Sequence, residues 1–301
     1  MLLSLGLFPA AHARELTPQQ VAPDVYAIIG KREALARANR GDISNCGFIV
    51  GTTGVIVIDP GPNYAHAELL LSAIRKITLK PVVLVIDTHP HPENVLGNDA
   101  FARRGVNILA HSQTLQAMRM RCEKCYENML TVLGEKIMAG TEIALPNMTV
   151  DESSDMTVAG RELSLLYYGW GHTEGDLAVL DRASGVLFGG GLVSLDSIPV
   201  LQQAKTKGWI NAIKQLQRQP IKKLVPGNGP VSKPERLQET LDYLQSLLDL
   251  VERQFNAGMS VLDLLKQAGL PAYRKWALYS DQHPLNVQHV YSELEKEELE
   301  K

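Results

Sequence analysis

The chain is short of cysteine, of long apolar runs and of surplus charge, and each shortage closes a class of function. Three cysteines among 301 residues are too few for a disulfide framework. Cys122 and Cys125 form one C-x-x-C with no second pair to complete a zinc ribbon. The motif also lies inside a helical stretch, whereas a thioredoxin-like redox pair opens a helix after a strand. In an oxidising compartment this pair can close a local disulfide, and Cys46, ahead of Gly47-Phe48-Ile49-Val50, reads as a small buried hydrophobe. No apolar run reaches the length of a membrane-spanning helix. A net charge of -3 leaves no basic stripe for nucleic acid or for an anionic bilayer.

A basic segment is also missing ahead of the first apolar run. Even so, residues 2–8 lead into Ala11-His12-Ala13, the pattern of a secretory signal with an A-x-A cleavage site. The sequence therefore predicts a signal peptide over 1–13, a mature chain from Arg14, no membrane span after cleavage, and a periplasmic protein. With 45% hydrophobic residues, the remainder can bury one large core or two small ones.

What the chain does have is Asp87-Thr88-His89-Pro90-His91-Pro92-Glu93-Asn94, directly after an apolar run. In an extended backbone His89 and His91 point to the same side, and the interleaved prolines bias both toward that conformation. A metal ion is the natural target of two converging imidazoles. A third, His172, lies in Gly171-His172-Thr173-Glu174-Gly175-Asp176, again at a boundary between apolar strands, so the pattern points to a three-histidine site.

Around these loops, strand patterns occur at residues 25–29, 46–50, 55–58, 81–86 and 106–110, and again at 157–168, 177–180, 186–188 and 222–225. Helical periodicity occupies 65–77, 95–104, 111–138 with a weak point at Gly134, 209–216, 235–255, 261–267 and 285–300. No dinucleotide-binding fingerprint follows the first strand. Two groups of strands, each followed by helices, suit two sheets packed face to face with helices outside.

On these motifs the chain resembles the metallo-β-lactamase superfamily over roughly 25–231. Thr88-His89-Pro90-His91 and the Gly171 to Asp176 motif carry the likeness, with Val57-Ile58-Asp59 and Val225-Pro226-Gly227-Asn228-Gly229-Pro230-Val231. The resemblance implies an α/β, four-layer αββα sandwich over 15–232 with a C-terminal helical extension over 233–301. It implies metal ligands His89, His91 and His172, and it marks Asp59 and Asp176 as carboxylates that hold histidine rings in the metal-binding tautomer. Glu93 and Asn94 stand where the family completes its first loop with Asp and His, Gly191 stands at the bridging carboxylate, and Asn228 at the last histidine. An amide is a feeble zinc ligand and glycine offers no side chain, so the expectation is one zinc rather than two.

Three neutral imidazoles leave a fourth position for water, whose pKa falls to about 7 on such a zinc. The expected activity is hydrolysis of an ester, thioester or amide of a small molecule by zinc-bound hydroxide. Glu93 would orient or deprotonate the water, and Asp176 would serve from behind the histidines. Nothing in the sequence identifies a carboxylate clamp for a β-lactam. The alternative is a non-catalytic binding or accessory protein on a depleted scaffold. Gly41-Asp42-Ile43-Ser44-Asn45, the Cys122-Glu123-Lys124-Cys125-Tyr126-Glu127-Asn128 stretch and the long C-terminal extension are most similar to the quinoprotein relay system zinc metallohydrolases. That likeness implies a periplasmic quinoprotein dehydrogenase system, using pyrroloquinoline quinone, as the setting. Substrate choice is expected to lie in loop residues such as Tyr64, Trp170 and the segment 194–203.

Overall fold

The computed structural model describes residues 15–300, so the signal peptide expected over 1–13 lies outside the described residues. Seven strands form one sheet in sequential order: β1 (Gln19–Ala22), β2 (Val25–Ile28), β3 (Cys46–Val50), β4 (Val55–Ile58), β5 (Val82–Ile86), β6 (Asn107–His111) and β7 (Met148–Val150). Five more form the second sheet: β8 (Ser154–Val158), β9 (Arg161–Leu166), β10 (Ala178–Asp181), β11 (Val186–Phe188) and β12 (Lys223–Val225).

Side-chain alternation along the strands builds the layers. In β4, Ile56 and Ile58 face the second sheet and pack with Leu163, Leu165, Val179 and Phe188. Their neighbours Val55 and Val57 face outward onto Leu70 and Ile74 of α1 (Tyr64–Ile77). Each such side chain, fully buried, stabilises the fold by roughly 1.5–3 kcal/mol. Across the molecule, Leu180, Leu187 and Leu224 pack beneath α6 (Thr206–Leu216), α7 (Leu237–Asn256) and α9 (Tyr279–Leu299). The result is the expected αββα sandwich with C-terminal helices.

Three departures from the sequence expectation have visible causes. The helix predicted over 95–104 is two short ones, α2 (Pro92–Val95) and α3 (Asn98–Ala102). Gly97 runs so close to residues 60–61 that a Cβ there would lie 2.5 Å from the Pro60 carbonyl, and its N–H bonds the Gly61 carbonyl instead of continuing a helix. The stretch over 111–138 breaks at Gly134 into α4 (Ser112–Leu133) and α5 (Glu135–Met138), because Gly134 adopts φ +84. The last helix, α9, begins six residues before the predicted start, with Pro284 inside it. The Tyr279 ring stacks on His283 and its hydroxyl takes the Leu270 N–H, so tertiary contacts hold the turn that proline weakens. α8 (Val261–Leu265) lies between α7 and α9, and strands β1 and β7 at the ends of the large sheet carried too little pattern to predict.

Candidate metal centre

Parallel pairing of β4 with β5 aligns Ile58 with Ile86 and delivers Asp59 and Thr88 to one end of the sheet. Asp59 there takes a left-handed backbone, φ +54, which turns the chain sharply and aims its carboxylate back at the next loop. The Thr88 N–H and hydroxyl donate to its two oxygens at 2.8 and 2.7 Å, and Asn94 Nδ2 adds a third bond at 3.1 Å. The chain bends at Thr88 and His89, and His91 follows on extended backbone at the N-cap of α2, with Pro92 fixing its first turn. From the other sheet, the loop between β9 and β10 brings His172. The Leu177 N–H donates to the Thr88 carbonyl at 2.8 Å and ties the two loops together.

The three imidazoles meet. Their potential ligand nitrogens all lie within 4.8 Å of one another, and the rings sit edge-on with centroids 4.6–5.1 Å apart. Each ring spends its other nitrogen on an oxygen behind it. His89 Nδ1 lies 2.8 Å from Thr88 Oγ1, whose own proton goes to Asp59, so the imidazole donates. His172 Nδ1 donates to the Val200 carbonyl at 3.0 Å, and His91 Nε2 to Gln203 Oε1 at 3.3 Å. A carbonyl only accepts, which fixes the tautomer of His172 and leaves Nε2 as a bare lone pair.

That lone pair faces His91 Nδ1, also bare, at 3.1 Å. Two unprotonated nitrogens at that distance repel unless a proton or a cation lies beside both. The spacing is close to the ~3.3 Å separating two nitrogens of a tetrahedral zinc with bonds of ~2.0–2.1 Å. Burial, reinforced by the neighbouring imidazoles, also holds His89 and His172 well below the usual histidine range, so both are neutral donors at physiological pH. The residues present therefore fit a divalent metal of borderline softness, zinc first among them.

The other residues singled out in the sequence take distinct places. Glu93 lines the cavity in front of the imidazoles, with Oε1 4.0 Å from His91 Nδ1. Asp176 touches no imidazole; it accepts the Thr173 N–H and hydroxyl at 2.8 and 2.7 Å and holds the turn that carries His172. Desolvation pushes both Asp59 and Asp176 up to about 7 against these hydrogen bonds. Asn94 is buried on Asp59, and Asn228 donates to the Ile43 carbonyl at 2.7 Å. A Cβ on Gly191 would lie 2.3 Å from Cδ2 of His172, so the ring itself fills the space a side chain would need. Gly190, at φ +51, allows the same close approach to Thr88.

Sequence reasoning missed four supports: the Thr88 hydroxyl, the Val200 carbonyl, Gln203, and Trp209, whose ring lies 4.9 Å from His172. Only Thr88 left a signal, as a hydroxyl between a strand and a histidine. The cavity in front measures about 330 Å³, room for a small molecule. Lys31, Glu93, Cys125, Trp209 and Asn228 are among its walls. Cys122 and Cys125 are both free thiols, each pushed up by burial. Among the described residues no helix is long and apolar enough to cross a membrane.

The family model described as the metallo-beta-lactamase superfamily matches residues 39–228. A linear primary-alkylsulfatase from Pseudomonas sp. (strain ATCC 19151) is 24% identical over 265 residues, covering 75% of this chain and 50% of that protein. The chain thus spans half the length of this relative. A metallo-beta-lactamase type 2 from Bacillus cereus is 27% identical over 205 residues, covering 66% of this chain and 72% of that protein. Among solved structures, a metallo-beta-lactamase from Pontibacter korlensis superposes with a TM-score of 0.64 at 23% identity, over 77% of this chain and 99% of that one.

Proposed function

Since the chain belongs to the metallo-β-lactamase superfamily, we propose that it is a hydrolase of small molecules with one zinc held by His89, His91 and His172, acting on an ester, thioester or amide. The observation that carries this reading is the pair of bare nitrogens on His91 and His172 facing each other at 3.1 Å, each with its partner nitrogen already committed to an oxygen. Zinc in such a site supplies Lewis acidity, which polarises a carbonyl and makes water acidic near neutral pH.

The chain's own groups do the rest. Glu93 faces the open side of the imidazoles and takes the proton released from water at its Oε atoms, then returns one to the leaving group. Asp59, through Thr88, and Asp176, through the Thr173 turn, keep His89 and His172 from rotating. The buried Trp209 ring closes the back of the site to solvent. One ion rather than two is supported by Gly191, where the His172 ring occupies the space, and by Asn228, whose amide is spent on Ile43.

Periplasmic location rests on the Ala11-His12-Ala13 pattern, and the link to a quinoprotein dehydrogenase system on the Gly41 to Asn45 and Cys122 to Asn128 stretches. An accessory role without catalysis is the second reading, favoured by the same loss of the second set of ligands. Elemental analysis followed by a hydrolysis screen over esters, thioesters and amides separates the two. The hydrolase reading expects about one zinc per chain and turnover that falls on the order of a hundredfold in Glu93→Gln with zinc retained. Zinc without turnover on any of these classes supports the accessory reading, and unchanged turnover in Glu93→Gln removes the role given to that residue.

A further inference from the structure

Two of the three imidazoles lean on one loop. His172 Nδ1 donates to the carbonyl of Val200 and His91 Nε2 to the side chain of Gln203. Gln203 also accepts the indole N–H of Trp170 on its carbonyl at 2.7 Å. The loop is irregular, so its own backbone does not hold Val200 in place.

Ahead of Val200 the Ile198 N–H donates to the Ala277 carbonyl at 3.0 Å, and the support beyond that comes from α9, outside the residues matched by the family. Asn286 is buried, and its amide brackets Val200 on both sides: Oδ1 accepts the Leu201 N–H at 3.2 Å, and Nδ2 donates to the Pro199 carbonyl at 2.8 Å. The same Nδ2 donates to the Tyr243 hydroxyl at 3.0 Å, which also bonds His283 Nδ1. Further along the helix, His289 Nε2 donates to the Ala204 carbonyl at 3.1 Å, and Glu293 takes the Thr206 N–H. Val287 and Val290 pack into the core beneath α7. An asparagine this deeply buried must satisfy both ends of its amide, and here the ends go to the peptide groups on either side of Val200, the second of which also carries the carbonyl that sets the tautomer of His172.

We propose that Asn286 is a positioning residue for the imidazole cluster: by clamping residues 199–201 it holds the Val200 carbonyl where it fixes the tautomer and ring plane of His172. The C-terminal extension is then part of the metal centre rather than an appendage to it. This rests on the reading of the cluster as a metal site, but its first readout does not. A ligand imidazole that loses its outer hydrogen-bond partner typically gives up ten- to a hundredfold in metal affinity.

The test uses the full chain with Asn286→Leu, which keeps the branched shape and removes the amide, beside Val290→Ala on the same helix, which loosens the same core and leaves the Asn286 amide in place. Long-range proton–nitrogen spectra of histidine in the metal-free protein, at mildly alkaline pH, report the tautomer. The parent and Val290→Ala are expected to show His172 protonated at Nδ1, and Asn286→Leu to show a mixture of tautomers. Zinc titration is then expected to give a dissociation constant raised roughly tenfold or more in Asn286→Leu and within about twofold of the parent in Val290→Ala. If Asn286→Leu does not fold by circular dichroism, Asn286→Ser is read in the same way. A folded Asn286 variant that keeps His172 wholly in the Nδ1–H form overturns the proposal, as does Val290→Ala producing the same mixture. A parent that binds no zinc defeats the metal reading, while the tautomer result still decides the role of Asn286.

Discussion

His89 and His172 enter one imidazole cluster from opposite sheets, yet they are held in opposite ways. His89 is backed by side chains close in sequence or on a neighbouring strand: Thr88 beside it and Asp59 one parallel strand away. His172 is backed by a main-chain carbonyl, Val200, in an irregular loop whose own anchor lies on the last helix. The first arrangement is local and built into the end of a sheet. The second is assembled from three separate parts of the chain and depends on all of them being docked. The difference teaches where a metal site tolerates change: near β4 and β5 a substitution acts on one ring, whereas around α9 it acts on a loop that serves two.

The sharpest way to break the comparison is to remove either ring. His89→Ala and His172→Ala are each expected to abolish stoichiometric zinc binding and to lower turnover on the order of a thousandfold, read by elemental analysis and steady-state rates. If one of the two retained a full equivalent of zinc, the rings would not be equal partners. Next in size is Thr88→Val, which keeps shape and deletes the hydroxyl joining His89 to Asp59. Zinc affinity is expected to fall roughly ten- to a hundredfold while the His172 tautomer stays fixed; an altered His172 signal would show that the two supports are coupled. Gly191→Ala pushes on the His172 side alone, since its Cβ would meet the ring at 2.3 Å. A loss of about tenfold in zinc affinity is expected, with no second ion gained, and unchanged affinity would mean that the ring has room to give.

The smallest effect separates the two supports by pH. Burial lowers His283 below the ordinary histidine range, and the groups around it, the Tyr243 hydroxyl and the Tyr279 ring, with Lys266 and Arg274 across the adjoining cavity, offer it no negative charge. A histidine depressed in the folded state contributes stability that is present above its unfolded pKa, about 6.5, and is lost as pH falls below that value, because the unfolded chain then binds the extra proton. Glu293 has the same sign in a lower window, since its hydrogen bonds to Thr206 and the nearby His289 imidazole hold it below the usual carboxylate range despite burial. Thermal melts of the parent are therefore expected to drop by a few degrees between neutral and mildly acidic pH. In His283→Gln that drop should shrink; a melting curve whose pH dependence is identical in the two proteins would contradict the assignment.

Legibility in the sequence follows the same divide. The two-sheet order was readable because apolar runs bounded by glycine, proline and aspartate mark strands, and the positions of β3, β4, β5 and β10 follow from them. The convergence of His89 with His91 was expected from alternation on an extended strand; the rings do meet, but through a bend at Thr88 and His89 beyond the end of β5, and the G-H-T-x-G-D pattern marked His172. What could not be read was support supplied by peptide groups. Any residue at position 200 presents a carbonyl, so Val200 carries no signature. Asn286, on a helix predicted to begin at 285, is one polar residue among several in its stretch of sequence. Gly191 was legible as a missing ligand, but not as a position already filled by a neighbouring ring. The break at Gly97 likewise needed the approach of Pro60, which no local pattern encodes.

A single cation seated among three imidazoles drawn from two sheets is the central proposal. Anomalous diffraction from crystals of the full chain grown with zinc, collected on both sides of the zinc edge, tests it most directly. One peak within bonding distance of His89, His91 and His172, with no second peak near Glu93 and Asn228, is the expected result. Two peaks in the cavity, or none between those rings, would contradict it.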